Sequence, residues 1–290
     1  MSGVSSESLL KSSWSILKAD TRILKTQLVG FLVMTLLGVA MVAGVFLLGD
    51  LTISRDEFAF AMTPASIVFY FAMYIAITFA SSVVQATVLA YSLAKFRKQK
   101  LTASEVWSQV KQSMAGLALF SLLTATIGLA LRLLEERLPL AGKIATWIFG
   151  AIWAIASMFS VAVIVDKKET DPIEATKESA KVIKNTFGSN VRVNLGLTSL
   201  ALLGVLTVVV TGGLASVGLF LVAEAAGVAG IVLSFIALLG LLVVVSTLSG
   251  IIKAGLYEYS VSGKSPAEFN ENLLKSAVTQ KKARKAFRWS

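Results

Sequence analysis

The amino-acid sequence predicts an all-α, polytopic membrane protein with about six transmembrane helices and short amphipathic helices on its cytosolic side. Its residues are 56% hydrophobic and 15% charged, whereas a soluble domain is about 45–50% apolar and about 25% charged. The apolar residues cluster in runs of roughly 20 or more, and such a run spans the ~30 Å hydrocarbon core as a helix. The runs do not alternate apolar and polar residues, as the strands of a membrane barrel would.

The hydropathy pattern divides the chain into three parts. A cytosolic amphipathic segment (1–22) precedes a membrane domain (23–260), and a basic cytosolic tail (261–290) follows it. The first apolar run is too long for the core of a cleavable signal peptide, so we expect it to stay in the membrane. The six predicted spans are residues 23–48, 65–93, 114–134, 142–165, 193–222 and 228–256.

The distribution of positive charge predicts the orientation. The chain has 27 Lys and Arg residues and a net charge of +10, and four of these cations lie on one side of the predicted membrane: Arg55, Arg132, Arg137 and Lys143. All the others lie on the opposite side or at the helix ends next to it. Because positive loops stay in the cytosol, we predict a multi-pass protein of a prokaryotic cell membrane with both termini cytosolic.

The composition also argues against enzymatic chemistry. The chain contains no cysteine and no histidine, so thiol nucleophiles, disulfides, histidine bases and the usual zinc sites are excluded. No phosphate-binding loop or nucleophile elbow is present. We therefore predict that the protein is not an enzyme and has no cofactor or metal.

A helix-capping pattern recurs in three segments of the cytosolic side. Thr102, Asp171 and Ser265 are each followed three positions later by a glutamate, as in the capping box at a helix N-terminus. Each box opens a short amphipathic stretch, and residues 9–18 form a similar stretch without the box. We predict a collar of surface helices, with partner or lipid contacts at Trp14, Trp107 and Phe187. The alternative is that any helix in a loop needs a cap.

The C-terminal tail is strongly basic. Near a bilayer, each cation adds about 1 kcal/mol of attraction to anionic lipid, so we expect the tail to contact anionic headgroups, and we do not expect nucleic acid as a partner. The candidate contacts are Lys281, Lys282, Arg284, Lys285, Arg288 and Trp289.

The second predicted span contains the most polar patch inside the membrane. Thr78, Ser81, Ser82 and Gln85 lie within about two helical turns, with Thr87 close by. Hydrogen bonds to a neighbouring helix would explain these residues. A substrate path along the span is the alternative.

Two functions fit these patterns. The first is a non-enzymatic membrane protein that organises or docks a partner through its cytosolic face. The second is a carrier or flippase for a lipid or another apolar molecule, which an open lateral groove lined by the second span would favour. The partner, the ligand and the oligomeric state are not predicted by the sequence.

Two stretches near the ends of the chain resemble a known family. They are Glu7 to Asp20, which leads into the first span, and Gly250 to Phe269, with Lys253, Tyr257 and Tyr259. The resemblance is to an uncharacterised prokaryotic, largely archaeal, six-helix membrane family of unknown function. More loosely, the layout is similar to the membrane domain fused to some glycerophosphodiester phosphodiesterases, whose catalytic domain this sequence lacks. The resemblance therefore implies a fold and no activity.

Overall fold

The computed structural model describes residues 11–18, 20–53, 58–187, 196–267 and 269. Most of these residues are helical. The helices are α1 (11–18), α2 (Thr21–Leu48), α3 (Pro64–Phe96), α4 (Ala103–Gln112), α5 (Met114–Arg137), α6 (Leu140–Ala156), α7 (Ser160–Lys167), α8 (Pro172–Phe187), α9 (Gly196–Phe220) and α10 (Glu224–Ser262).

A short antiparallel ribbon links α2 to α3. Strands β1 (Asp50–Ile53) and β2 (Phe58–Ala61) pair with Asp50 opposite Ala61. The predominantly helical class is confirmed, but the prediction of an all-α chain missed this ribbon. The reason is that strand pairing depends on a partner strand, which a single apolar run does not reveal.

Among the described residues, five helical segments are long and apolar enough to cross a membrane. They are Thr21–Leu48, Pro64–Phe96, Met114–Arg137, Gly142–Lys167 and Glu224–Ser262. The region of the predicted fifth span contains an apolar helix, Gly204–Phe220, that is shorter than these five segments. The prediction placed the last span at 228–256, whereas α10 is longer at both ends. α9 also continues without a break through Gly212 and Gly213.

The predicted fourth span (142–165) is one apolar segment but not one helix. The backbone leaves helical geometry at residues 157–159, between α6 and α7. The Phe159 N–H, just before the start of α7, donates to Ser179 Oγ on α8 at 2.9 Å. The break was missed because a residue twenty positions away in sequence satisfies this buried backbone N–H.

The chain divides into two compact units. One is Arg22–Ala180, and the other joins the described residues before Arg22 to those after Ala180. In the first unit, α2 and α3 are antiparallel and touch where Gly30 meets Val84 and where Gly44 meets Phe69. A Cβ at either glycine would clash, so these positions permit the close helix approach that is typical of membrane packing.

Helix α5 packs against the other side of α3. Ser121 Oγ donates to Ser82 Oγ at 2.9 Å, and both side chains are buried. Gly128 lies where a Cβ would meet the Tyr74 hydroxyl. A buried hydroxyl pair and a glycine contact therefore fix α5 on α3.

In the other unit, small residues line the contact between α9 and α10. A Cβ at Gly212 would clash with Ser234, and one at Gly230 would press on Ser216. Close packing of α10 continues at Gly255, which lies against the ring of Phe269. Small side chains again permit the helices to approach closely.

The predicted capping box is confirmed at the start of α4. Thr102 Oγ1 accepts from the Glu105 N–H, and Glu105 Oε2 accepts from the Thr102 N–H at 2.7 Å and from its hydroxyl at 2.8 Å. At α8, Asp171 Oδ1 accepts from the N–H groups of Ile173 and Glu174. The Glu174 carboxylate instead accepts from Lys177. The glutamate of the third predicted box, Glu268, lies outside the described residues.

Candidate functional site

A lateral groove lies between α2 and α3 and is closed at one end by α4. Its volume is about 610 Å³, and its wall is almost wholly apolar. It is lined by Lys25, Thr26, Val29, Gly30, Val33, Phe79, Ala80, Val83, Val84, Thr87, Tyr91, Ala103, Trp107 and Met114. The contact between Gly30 and Val84 brings the two helices together in this region.

The groove is open at its side. Val29 is 60% exposed and Val33 is 43% exposed on α2, and Trp107 is 48% exposed on α4. Exposed apolar side chains on helices of membrane-spanning length face the hydrocarbon of a bilayer. A molecule dissolved in that hydrocarbon can therefore reach the groove without crossing water.

One end of the groove is positively charged. Lys25 is exposed on its rim, and Arg22 lies one helical turn before it. The Arg22 guanidinium lies 5.3 Å from the centre of the Tyr91 ring and donates to the Leu101 carbonyl at 3.1 Å. Arg22 thus joins α2 to the end of α3, and Lys25 is the charged residue that lines the groove itself.

The acidic side chain of α4, Glu105, takes part in the capping box at the start of that helix. Hydrogen bonds from the Thr102 N–H and hydroxyl lower the pKa of the Glu105 carboxyl below its ordinary value of 4.5. Both bonds favour the ionised form. Glu105 therefore stays charged and directed to its own helix start.

A separate polar cavity of about 310 Å³ lies among α3, α4 and α7. Arg97 and Asp166 line this cavity and form a bidentate ion pair, with Nη1–Oδ1 and Nη2–Oδ2 distances of 2.5 and 3.2 Å. Lys168, also in its wall, donates to the Gln109 carbonyl at 2.9 Å. Partial burial lowers the pKa of the Lys168 ammonium, and the Asp166 carboxylate opposes that shift. These contacts tie three elements together, so the cavity has a structural explanation.

A smaller apolar cleft lies between α9 and α10. It has a volume of about 220 Å³, and no charged residue lines it. Gly212, Ser216 and Ser234 belong to its wall and also form the helix contact described above. The groove between α2 and α3 is larger and combines an apolar wall with a charged rim, which makes it the stronger candidate for a binding site.

The predicted polar patch does not line this groove. Thr78 Oγ1 donates to the Tyr74 carbonyl, Ser82 Oγ donates to the Thr78 carbonyl, and Gln85 Nε2 donates to Ser81 Oγ at 3.2 Å. Ser82 also accepts from Ser121 on α5. Thr87, named with the patch, does line the groove, and its hydroxyl donates to the Val83 carbonyl at 2.8 Å.

The predicted surface contacts belong to three different helices and to the C-terminal tail. Trp107 lies on the groove rim, apart from Val106 and Val110, which are buried on α4. Trp14 is 42% exposed on α1, with the Lys18 ammonium 5.7 Å from its ring centre. Phe187 ends α8, and its side chain lies outside the described part of the chain. The basic tail also lies outside it: Lys281, Lys282, Arg284, Lys285, Arg288 and Trp289.

Apart from Trp107 and Thr87, sequence reasoning missed the residues that form the groove. Lys25 gives the clearest signal, because a cation inside an apolar run is unusual in a lipid-facing helix. Val29, Val33, Ala80 and Val83 give no signal of their own. Groove-facing and lipid-facing positions are both apolar, and hydropathy does not distinguish them.

Several long apolar helices, with an apolar groove between two of them, define a helical membrane protein. The chain belongs to a family of unknown function, DUF6159, whose sequence profile matches residues 60–267. That match confirms the prediction of an uncharacterised family. Comparison with curated proteins and with solved structures gives no significant match.

Proposed function

We propose that this protein binds a lipid, or another apolar molecule, in the groove between α2 and α3. The observation that carries the proposal is the open, apolar groove of about 610 Å³ along two helices of membrane-spanning length. A groove of this kind is the feature expected of the second function that the sequence predicts. The proposal needs no enzymatic step and no cofactor.

The proposal includes a topology of six spans, with α9 as the fifth, in a prokaryotic cell membrane. Both termini are then cytosolic, and the end of the groove near Lys25 faces the cytosol. The excess of Lys and Arg on that side supports this orientation. An archaeal distribution of the family and a likeness to the membrane domain of the phosphodiesterases remain predictions.

The depth of the groove favours binding within one leaflet over transport across the membrane. Its wall runs from Lys25 to Val33 on α2 and from Tyr91 to Phe79 on α3. At 1.5 Å per residue these stretches span about 12 and about 18 Å. The hydrocarbon core is about 30 Å thick, so the groove reaches about halfway through it.

A second candidate function is the docking of a protein partner through the cytosolic helices. The observation in its favour is apolar exposure: Ile173 on α8 is 53% exposed, and Trp14 on α1 is 42% exposed. Aromatic and aliphatic side chains exposed among charged residues are typical anchors at interfaces. The same side chains also suit the headgroup region of a bilayer.

The groove can be tested by filling it. We expect Ala80→Phe to displace bound lipid, because Ala80 lines the groove and a phenyl ring would take its space. Ala72→Phe is the matched control, since Ala72 is exposed two helical turns away on α3 and lies outside the groove. The measurement is native mass spectrometry of each protein purified in mild detergent, counting the lipids bound to each chain.

The expected result is lipid retained by the wild-type protein and Ala72→Phe and lost from Ala80→Phe. Val33→Trp fills the groove from α2 and covers the case in which Ala80→Phe does not fold. Equal retention of lipid by all four proteins would contradict the proposal.

A further inference from the structure

We propose that the ligand of the groove is an anionic membrane lipid, with its headgroup at Lys25 and one acyl chain between α2 and α3. This inference rests on the proposed function of the groove as a lipid site and adds the class of lipid. It follows from the charge of the rim and from the nature of the wall.

The apolar wall holds an acyl chain but does not select one lipid over another. A chain in the groove exchanges contacts with lipid tails for contacts with Val29, Val83 and similar side chains, so it gains no hydrophobic free energy from the transfer. All membrane lipids with similar chains would enter such a groove equally well. Any preference among them has to come from the headgroup.

The rim offers positive charge to a headgroup. Lys25 is exposed and lines the groove, and within the described residues no ion pair or hydrogen bond occupies its ammonium. Arg22 adds positive charge one turn away while its guanidinium contacts Tyr91 and the Leu101 carbonyl. None of the described residues that line the groove is acidic, and Glu105 is held by its capping box. The charge of the rim is therefore complementary to an anionic headgroup.

The charged end also lies at the correct depth. Tyr91, Trp107 and Lys25 line the same end of the groove, whereas Val33 and Phe79 line the other. Tyrosine and tryptophan favour the level of the headgroups, and a lysine stem can extend to reach it. A lipid with its headgroup at Lys25 would thus keep the depth that it has in the surrounding leaflet.

Trp107 provides a reporter for the headgroup preference. We would keep Trp107 as the single tryptophan, with Trp14, Trp147, Trp153 and Trp289 replaced by Phe. The protein would be reconstituted into vesicles of equal phosphatidylglycerol and phosphatidylcholine, with bromine on the chains of one lipid at a time. Ala80→Phe in the same background measures quenching by lipid outside the groove.

We expect brominated phosphatidylglycerol to quench Trp107 more strongly than brominated phosphatidylcholine, with a preference of about fivefold, the effect of one cation near the membrane surface. Lys25→Gln should remove the preference. Lys111→Gln is the matched control: it removes one exposed cation from α4 without touching the groove, so it should leave the preference unchanged.

The outcomes separate the two proposals. If both brominated lipids quench Trp107 equally and Ala80→Phe reduces that quenching, the anionic-lipid inference is overturned and the groove remains a lipid site. If Ala80→Phe leaves the quenching of Trp107 unchanged, both the anionic-lipid inference and the proposed lipid site are overturned. A preference that survives Lys25→Gln would overturn the role of Lys25. If the single-tryptophan protein does not fold, the ratio of bound lipids from native mass spectrometry of the wild type, Lys25→Gln and Lys111→Gln decides the same question.

Discussion

At Thr102 and Glu105, two side chains and two backbone N–H groups satisfy each other at the start of α4. The reciprocal bonds make this the most complete cap among the described helices. Helix α4 closes one end of the groove through Ala103, the residue after the cap, and through Trp107. The residues that hold the helix start therefore also position part of the groove wall.

The charge on Glu105 should make stability depend on pH. Its folded pKa is lowered by the Thr102 hydrogen bonds, so the contribution of the carboxylate is fully present above its ordinary value of 4.5 and is lost as pH falls through the folded pKa. We expect the melting temperature of the wild-type protein to fall in that range more steeply than that of Glu105→Gln. Glutamine keeps the capping geometry without titrating. If the melting temperatures of the two proteins fell by the same amount as the pH is lowered, this role of the charge would be contradicted.

The helices meet at glycines where no larger side chain fits. Gly116 on α5 is the strictest case, because an added Cβ would meet the Glu169 carbonyl oxygen, the Thr170 Cα and the Ile164 side chain. Two of these three neighbours are backbone atoms, which cannot turn aside. Gly38 on α2 has open space around it, so its surroundings do not require a glycine.

Gly116→Ala should therefore destabilise the protein by about 1–3 kcal/mol, the usual cost of overpacking. Gly38→Ala is the control and should be neutral or stabilising by up to ~1 kcal/mol, since alanine is the better helix former. Unfolding in mixed micelles, followed by circular dichroism, measures both. A stability of Gly116→Ala equal to that of Gly38→Ala would show that α5 can move away from the loop before α8.

The sequence predicts the elements unevenly, and the physical reason is the range of the interactions. Apolar runs and the cap at Thr102 are local, and the helices that they predict are present. The break before Ser160 depends on Ser179, twenty positions further along the chain. The ribbon between Asp50 and Ala61 depends on the pairing of two short strands, which the composition of neither strand alone reveals. The groove depends on how α2, α3 and α4 pack, which the hydropathy of each helix alone does not determine.

For the whole molecule, the number of transmembrane spans is the prediction that determines which loops lie in the cytosol and which lie outside the cell. In the part of the chain that the structure describes, five segments have membrane-spanning length and composition, and α9 decides whether there is a sixth span. With six spans, the turn between α9 and α10 lies outside the cell. With α9 on the surface, that turn would lie on the cytosolic side.

Single cysteines can locate this turn, because the natural chain has none. Ala223→Cys lies in the turn, Leu138→Cys lies between α5 and α6, and Gln99→Cys lies between α3 and α4. We expect a membrane-impermeant maleimide to label the first two in intact cells and Gln99→Cys only after lysis. Protection of Ala223→Cys in intact cells, with Leu138→Cys still labelled, would mean that α9 does not cross.

Helix α2 is fastened to α3 at both of its ends. At one end, the ribbon follows directly and the Thr63 hydroxyl donates to the Leu48 carbonyl; at the other, Arg22 lies over Tyr91. Sliding of α2 along α3 would break both attachments at once, whereas bowing of its middle would break neither. Gly30 lies against Val84 and is a third point of attachment. Gly38 has open space around it, and glycine weakens a helix against bending there. Because sliding is prevented, the same residues of α2 and α3 should face each other across the groove whether or not a lipid chain is bound there.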